Sequence, residues 1–385
     1  MKKNLFMVAA VALVALVSCN KETNSPLQPA PVSDIKFEAE FVNEQTKTSI
    51  GEADKNGYRN VTWDLGEEVY INGTLFTATG RKEDGKAIFE TKDLNFATAE
   101  QYDAIYPATA GTSLDAVTIP AAQDGTFANA AIAVAQSENR SLAFMNVASL
   151  IKFQVPAAYA SVTIESTANL AGAVPVSFNE DGVPVIGEVT NASKKITLEN
   201  VNAGVDYYVA ILPGDHKFTF RFDGYLSKAS NTSLSASRAE ILNLGVLPEL
   251  ETFAWGLVGQ HQGWDITNPT PMYKVADKAY ALLNVSLKAD GFKFAKTGLQ
   301  NWDTANTSFG AWKKSTGKNY FNFSTEMGSG AWYGVYTNNL GDQSANIGVT
   351  DFAKTYDVYV KIITDADWGK ELGYTVVATG TVVTF

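Results

Sequence analysis

The stretch LAFMNVASLIKFQV, residues 142–155, decides how the chain is divided. Before it, short apolar runs end at Gly or Pro; here the apolar run is longer, and a second set of strand-like runs follows. Successive side chains of a strand point to opposite faces, so alternating apolar residues indicate a strand with one buried face. We therefore predict one set of strands before this run and a second set after it.

The segment before residue 140 reads as a series of short strands. An alternation of apolar and charged residues predicts the first strand, with Ile35, Phe37, Ala39 and Phe41 on its buried face. Further strand-like runs lie at residues 61–71, 102–107 and 117–123. Residues 128–139 allow a short helix, although the stretch is Ala-rich and weakly amphipathic. We expect Trp63 to lie in the core of this domain.

The segment after residue 155 carries two clear strand patterns. Residues 207–212 form a nearly continuous apolar run, which is typical of a strand buried on both faces. Phe218, Phe220 and Phe222 alternate with Lys217, Thr219 and Arg221. This second domain is predicted to end near residue 248.

The composition changes after residue 248 to Trp, Tyr, Asn and Gly. Seven or so short strand signals separated by polar loops suggest an immunoglobulin-like sandwich over residues 249–385. Most of the 7 tryptophans lie here, among Gly, Asn, Asp, Gln, Ser and Lys; they include Trp255, Trp264, Trp302, Trp312 and Trp332. Apolar ring faces beside amide and charged side chains are suited to a polar ring such as a sugar.

The whole chain is therefore expected to be all-β. Only 18% of residues are charged, and the formal net charge is -11. Such an acidic chain is a poor ligand for nucleic acid. The 2 histidines belong to no metal-binding motif, there is no Gly-x-Ser-x-Gly elbow, and no glycine loop would hold a phosphate. We expect no catalytic residue, no metal, no cofactor and no enzymatic activity.

The amino terminus reads as a lipoprotein signal. Lys2 and Lys3 precede an apolar run that is too short for an obvious membrane span, and LVSC at residues 16–19 follows. This resembles a bacterial lipobox, which implies that residues 1–18 are removed and that Cys19, the single cysteine of the chain, is acylated. Residues 19–33 would form a lipidated tether, since they are polar and carry three prolines. We expect an outer-membrane lipoprotein that faces the cell exterior.

Residues 34–248 resemble the fimbrillin and Mfa-like families of bacterial surface lipoproteins. The matching pieces keep their order and spacing along the chain: WDLG at 63–66, Tyr106-Pro107, Ile119-Pro120 with Gln123, residues 142–155, LPG at 212–214 and RAEILNLG at 238–245. The resemblance implies two transthyretin-like β-sandwiches, 34–140 and 141–248. Fimbrillins polymerise by strand exchange, a form of β-strand addition. A chain that continues into a further domain is better placed as a monomeric stalk or at a fimbrial tip.

The C-terminal region resembles the starch-binding outer-membrane lipoproteins SusE and SusF. The pieces that match in order include GQHQGW at 259–264, FKF at 292–294, Trp302, FGAW at 309–312 and YDVYV at 356–360. The resemblance implies a carbohydrate-binding module that captures starch-like glucan or another glycan for polysaccharide utilisation. Its implied partners are a neighbouring TonB-dependent transporter and a hydrolase.

The resemblance also implies a set of glycan-binding residues. Aromatic rings would pack on the sugar while a Lys and nearby amides bind its hydroxyls, and the residues are Trp302, Trp312, Trp332, Tyr333, Lys293, Asn301 and Asp303. For each of them a core, turn or solvated-surface position is the alternative, and for Trp255 and Trp264 a structural role is the preferred interpretation. Two functions remain open: a glycan-binding surface lipoprotein, and a fimbrial tip or accessory adhesin subunit.

Overall fold

The computed structural model describes residues 35–42, 63–300, 308–309, 333–335, 347, 349, 351–362 and 372–385. Within these residues almost all regular structure is β-strand, which confirms the all-β prediction. The helical segments found there are one turn of α-helix, α1 (Phe127–Ala130), and three short 3-10 helices at Ala108–Ala110, Leu114–Ala116 and Gln260–Gln262. No helix of the described residues is both long and apolar enough to span a membrane.

Seven strands close into a barrel at the start of the described chain. The first eight strands are β1 (Lys36–Phe41), β2 (Glu68–Ile71), β3 (Thr74–Arg81), β4 (Ala87–Glu90), β5 (Tyr102–Tyr106), β6 (Val117–Ile119), β7 (Ala133–Ser137) and β8 (Ser141–Asn146). All except β6 pair in the order β1-β4-β3-β2-β5-β7-β8, and β1 closes the ring by pairing in parallel with β8. A closed ring leaves no unpaired sheet edge.

Trp63 lies at the centre of the barrel core, as expected. Its side chain is 1% exposed, and its ring stacks on Phe41 with centroids 4.5 Å apart. Phe89, Tyr106 and Phe144 each meet the indole edge-on at 5.0 to 5.3 Å. The first strand also shows the expected alternation, since Phe37 and Ala39 are fully buried.

The second unit is built from several small sheets. Its strands are β9 (Ser149–Gln154), β10 (Tyr159–Ser166), β11 (Ala171–Val174), β12 (Val176–Phe178), β13 (Pro184–Ile186), β14 (Thr190–Ser193), β15 (Lys195–Val201), β16 (Tyr207–Ile211), β17 (Gly214–His216), β18 (Phe218–Phe222), β19 (Tyr225–Ala229), β20 (Leu234–Ala236) and β21 (Ile241–Val246). The sheets have the orders β15-β10-β18-β19, β14-β11-β6 and β16-β9-β21, with hairpins β12-β13 and β17-β20. The predicted strands at 207–212 and 218–222 are confirmed as β16 and β18.

Residues 117–125, called here the crossing segment, leave the barrel and join the second unit. Strand β6 pairs with β11. Beyond it, the Gln123 amide donates to the Thr197 carbonyl of β15 at 3.0 Å. The Gln123 side chain then donates to the Ala210 carbonyl at 2.8 Å and accepts from the Ala210 amide at 2.9 Å, so it pairs with the edge of β16 as a strand would. One short segment therefore satisfies backbone groups on three strands of the second unit.

The two units are consequently interleaved rather than consecutive, and the position predicted for their boundary, near residue 140, lies between β7 and β8. Strands β7 and β8 follow the crossing segment in sequence but belong to the barrel. Buried residues from Phe37 to Leu247 form one continuous apolar core. The hydrophobic pattern shows which residues are buried in a strand, but it does not show which sheet the strand joins.

The short helix allowed at 128–139 is only partly formed. Helix α1 ends at Ala130, and residues 133–137 form β7, paired with β5. Ala133, Val134 and Ala135 are all fully buried. Burial of consecutive residues is typical of a strand covered on both faces, whereas a surface helix buries only one stripe.

The C-terminal unit is one eight-stranded sheet with curled ends. Its strands are β22 (Thr252–Gly259), β23 (Thr270–Ala276), β24 (Ala279–Val285), β25 (Phe292–Lys296), β26 (Ser308–Phe309), β27 (Tyr333–Val335), β28 (Tyr356–Ile362) and β29 (Leu372–Ala378), in the order β26-β25-β22-β23-β24-β28-β29-β27. Phe294 of β25 meets Tyr374 of β29 with ring centroids 5.9 Å apart, although four strands separate them in the sheet. Two facing layers thus enclose a core, as in a sandwich, but backbone hydrogen bonds join the layers into one sheet.

The C-terminal unit is packed against the second unit through the β18–β19 hairpin. The Arg221 guanidinium donates to the Val275 carbonyl at 2.9 Å and pairs with Glu165 at 3.1 Å. The Tyr225 hydroxyl accepts from the Leu283 amide at 2.9 Å, and the Tyr225 and Tyr273 rings lie 5.0 Å apart. These contacts fix the orientation of the two units.

Replacing Trp63 by Ala should strongly destabilise the protein. Removing a large buried aromatic side chain typically costs about 3–5 kcal/mol of unfolding free energy, because the surrounding rings cannot close the cavity. Leu65→Ala is the matched control, since Leu65 is 65% exposed and near in sequence. Urea denaturation measures both; equal effects of the two substitutions would contradict the packing described for Trp63.

Candidate functional site

Most of the residues predicted to bind a glycan lie outside the described residues. These are Asn301, Trp302, Asp303, Trp312 and Trp332; Cys19, the predicted site of lipidation, also lies outside them. Tyr333 is the first residue of β27, and its backbone pairs with that of Tyr374 in β29. Lys293 is the one member of the predicted set whose side-chain burial is described.

Lys293 lies on the face of the curled sheet that points away from the core. Its neighbours Phe292 and Phe294 are buried in the core of the C-terminal unit, and alternation places Lys293 and Ala295 on the opposite face. The register sets Lys293 directly across from Val258 of β22. The Lys293 side chain therefore lies on the same outer face as the side chain of Val258.

A loop covers part of this outer face next to Lys293. Trp264 and Leu299 are half-buried against an apolar cluster formed by Val258, Ile266 and Ala295. Gly263 and Trp264 both have positive φ, at 79° and 59°, and the Trp264 amide donates to the Gly259 carbonyl at 2.9 Å. A positive φ is uncommon for a bulky residue, so packing of the indole must hold this turn.

Side-chain amides fix the shape of the same loop. Gln262 donates to the Asp265 carbonyl at 2.8 Å and accepts from the Asp265 amide at 2.7 Å. Gln260 accepts from the Asp290 amide at 3.2 Å, which ties the loop to the turn before β25. Amide side chains near the tryptophans suggested sugar recognition, but those of Gln260 and Gln262 make hydrogen bonds that hold their own loop.

Trp255 and Trp264 take the structural roles that were preferred for them. Trp255 is 7% exposed and belongs to the core of the C-terminal unit. Trp264 is half-buried and covers the sheet, with part of its ring left on the surface beside β25. The outer face therefore presents an aromatic ring and a lysine on neighbouring positions.

Each of the two histidines is held inside the protein. His216 is 1% exposed; one ring nitrogen lies 3.1 Å from the Ser166 hydroxyl, and the other lies 2.9 Å from the Leu212 carbonyl. His261 lies 3.1 Å from the Thr270 hydroxyl through Nε2, while its Nδ1 is buried without a hydrogen-bond partner. Within the described residues, no three His, Cys, Asp or Glu side chains are grouped to hold a metal ion.

The sequence pattern does not identify the residues that join the units. Alternation predicts only that Arg221 points outward from its strand, and it gives no role to Tyr225 or Tyr273. The available signal was an arginine among three phenylalanines on β18, where a surface strand would more often carry small polar residues.

No family model matches the sequence, and the search for similar characterised proteins found no match. Among solved structures, the chain is similar to a candidate cell adhesion protein of Bacteroides ovatus, with TM-score 0.36 and 11% identity over 54% of this chain and 90% of that one. A candidate cell adhesion protein of Bacteroides fragilis gives TM-score 0.27 and 8% identity over 56% and 93%. A fimbrial protein of Bacteroides ovatus gives TM-score 0.26 and 11% identity over 57% of this chain and 52% of that one. At TM-scores this low the likeness carries no argument about the site.

The loop that carries His261 and Trp264 should loosen at mildly acidic pH. Burial lowers the pKa of His261 below its ordinary value of 6.5, so the unfolded loop binds a proton more readily than the folded loop. The stability that neutral His261 gives to the folded loop is present above pH 6.5, and it is lost as the pH falls through the pKa of His261 in the folded protein. Hydrogen exchange of the Trp264 amide, corrected for the intrinsic rate, should speed up between about pH 7.5 and about pH 5.5.

His261→Gln keeps a polar partner for Thr270 and removes the titration. In this variant the corrected exchange rate at Trp264 should change little with pH. An equal pH dependence in the two proteins would show that His261 does not control the loop.

Proposed function

We propose that this chain is a lipid-anchored surface protein that acts as a tip or accessory subunit of a fimbria-like assembly. Two interleaved β-units form its stalk, and the curled C-terminal sheet is its adhesive part. The observation that carries the proposal is the fixed contact of Arg221 and Tyr225 with the C-terminal unit. An adhesive domain under load needs such a contact, because a flexible link would let it turn away from its target.

The last strand of the stalk also favours a terminal position. Strand β21 pairs in parallel with β9 of its own chain, and the chain then passes within a few residues into β22. The Leu247 amide donates to the Gln154 carbonyl at 2.9 Å, and the Ser227 hydroxyl donates to the Pro248 carbonyl at 2.8 Å. Donating β21 to another subunit would break these bonds and pull the C-terminal unit off its contact.

We propose binding rather than catalysis as its activity. Support comes from the histidines, which are positioned by hydrogen bonds and burial and do not converge with each other on a surface cleft. The lipid on Cys19 and the tether at 19–33 would hold the stalk on the exterior of the outer membrane. No cofactor or nucleic acid has a role in this proposal.

Glycan capture for a neighbouring TonB-dependent transporter is the second candidate function. The observation that favours it is the outer face of β22 and β25, where Lys293 and the half-buried Trp264 stand on neighbouring positions. An aromatic ring can cover the C–H face of a sugar, and an ammonium can donate to its hydroxyls. The residues Asn301, Trp302, Asp303, Trp312, Trp332 and Tyr333 would extend this face.

Immunogold electron microscopy of the producing cells separates the two functions. A tip subunit should be labelled at the distal ends of surface filaments, with little label along them. Label spread along the filaments would contradict the terminal position, and label on the cell surface away from filaments would favour glycan capture.

Binding to polysaccharide gives a second test. Affinity electrophoresis of the full chain, with Cys19→Ser to remove the lipid, should show no retardation if the target is a protein. Retardation by a polysaccharide that is lost in Lys293→Ala and Trp312→Ala, and kept in the stalk variant Lys228→Ala, would establish glycan capture instead.

The lipid anchor has its own prediction. Cys19→Ala removes the acylated sulfur and should shift the protein from the membrane fraction to the soluble fraction, because the acidic chain has little attraction for an anionic surface. Cys19→Ser should behave in the same way. Retention of both variants in the membrane fraction would disprove the anchor.

A further inference from the structure

A small pocket lies at the seam between the barrel and the second unit, far in sequence from the C-terminal unit. Its volume is about 280 Å³. One wall comes from the barrel, through Pro107 and Ile132, and the other comes from the crossing segment, through Pro120 and Ala122. Seams between structural units are frequent places for binding sites, because both walls are already fixed before a ligand arrives.

The crossing segment holds its wall of the pocket in place. The Gln123 side chain donates to the carbonyls of Pro120 and Ala210 at 2.9 and 2.8 Å, and it accepts from the Ala210 amide. A side chain with three hydrogen bonds to backbone groups cannot turn without leaving those groups unsatisfied. The pocket is therefore preorganised, which lowers the entropic cost of binding.

Asp124, an exposed residue of the pocket lining, supplies a negative charge. Its carboxylate accepts from the Thr126 amide at 2.9 Å, the Thr126 hydroxyl at 2.8 Å and the Asn129 side chain at 2.6 Å. Partial burial would raise the pKa of Asp124, but these hydrogen bonds outweigh it and lower the pKa. The group is thus ionised at neutral pH.

The charge of Asp124 has no cationic partner among the described residues, and the pocket lining contains no Lys or Arg. Of the two carboxylate oxygens, Oδ1 accepts both hydrogen bonds from Thr126, and Oδ2 accepts the one from the Asn129 side chain. A monodentate ammonium can approach Oδ2 alone, whereas the two-pronged guanidinium of arginine is suited to both oxygens at once.

We propose that this pocket binds the side chain of a lysine presented by a partner protein. The aliphatic stem would lie against Pro107, Pro120 and Ala122, and the ammonium would donate to Asp124. Lysine commonly packs its stem on apolar surface while its charged end reaches a polar group. The net charge of -11 also attracts a basic partner. The inference does not depend on what the C-terminal unit binds.

The test uses the full chain with Cys19→Ser and three capped tripeptides, Gly-X-Gly, in which X is lysine, arginine or norleucine. Methyl NMR signals of Ile132 and Ala122 report binding at the pocket. A single side chain of this size should bind with a dissociation constant of roughly 1 mM. The lysine peptide should bind more tightly than the other two.

Asp124→Asn should weaken the lysine peptide roughly fivefold and leave the norleucine peptide unchanged. Asp181→Asn is the control, since Asp181 is exposed in the β12–β13 hairpin, does not line the pocket, and the variant changes the net charge equally. Equal binding of the lysine and norleucine peptides to the unmodified pocket would overturn the proposal, and that comparison needs no variant to fold. Binding of arginine as tight as lysine would overturn the choice of lysine.

Discussion

The hydrogen bonds made by the crossing segment are the constraint on which the barrel and the second unit both depend. Residues 117–125 are placed by sequence within the first half of the chain, yet they pair with β11, β15 and β16 of the second unit. Strand β8 then continues through residues 147 and 148 into β9. The chain therefore passes between the two units several times, and their apolar residues join into one core. Two units connected in this way cannot bend about a single linker.

The C-terminal sheet is held against the second unit, and its outer face is covered in two separate places. Under the β18–β19 hairpin, the outer face carries Val275, Ala279 and Ala281, which are buried by that contact and by neighbouring apolar residues. Under the loop at 260–268 it carries Val258 and Ala295. The β18–β19 hairpin thus covers one part of the outer face, and the loop at 260–268 covers another. Lys293 lies in β25, next to β26 at one end of the strand order. The contact with the β18–β19 hairpin involves β23 and β24, further along that order.

Much of the β-structure could be predicted from the sequence, because burial on one face leaves a period of two. Phe37 and Ala39, Phe218 to Phe222, and Lys293 between two buried phenylalanines all follow that pattern. The sequence of a strand shows no comparable pattern for the strands with which it pairs. Nothing local in residues 117–119 shows that they pair with β11 rather than with the barrel, so the interleaving of the two units could not be predicted.

Side-chain roles were harder to predict than strands. The amides of Gln260 and Gln262 suggested hydroxyl binding, but they make hydrogen bonds that shape their own loop. Tyr225 and Arg221 join two units through contacts between residues far apart in sequence, which periodicity cannot reveal. The same holds for Asp124, whose pocket exists only because the crossing segment lies beside the barrel.

Hydrogen exchange along a denaturant series tests the central claim, that the barrel and the second unit are one cooperative structure. Amides in β2 and β5 of the barrel and in β16 and β18 of the second unit should lose protection with the same free energy and the same denaturant dependence. Loss of protection in the barrel at a lower denaturant concentration, while β16 and β18 remain protected, would contradict the account.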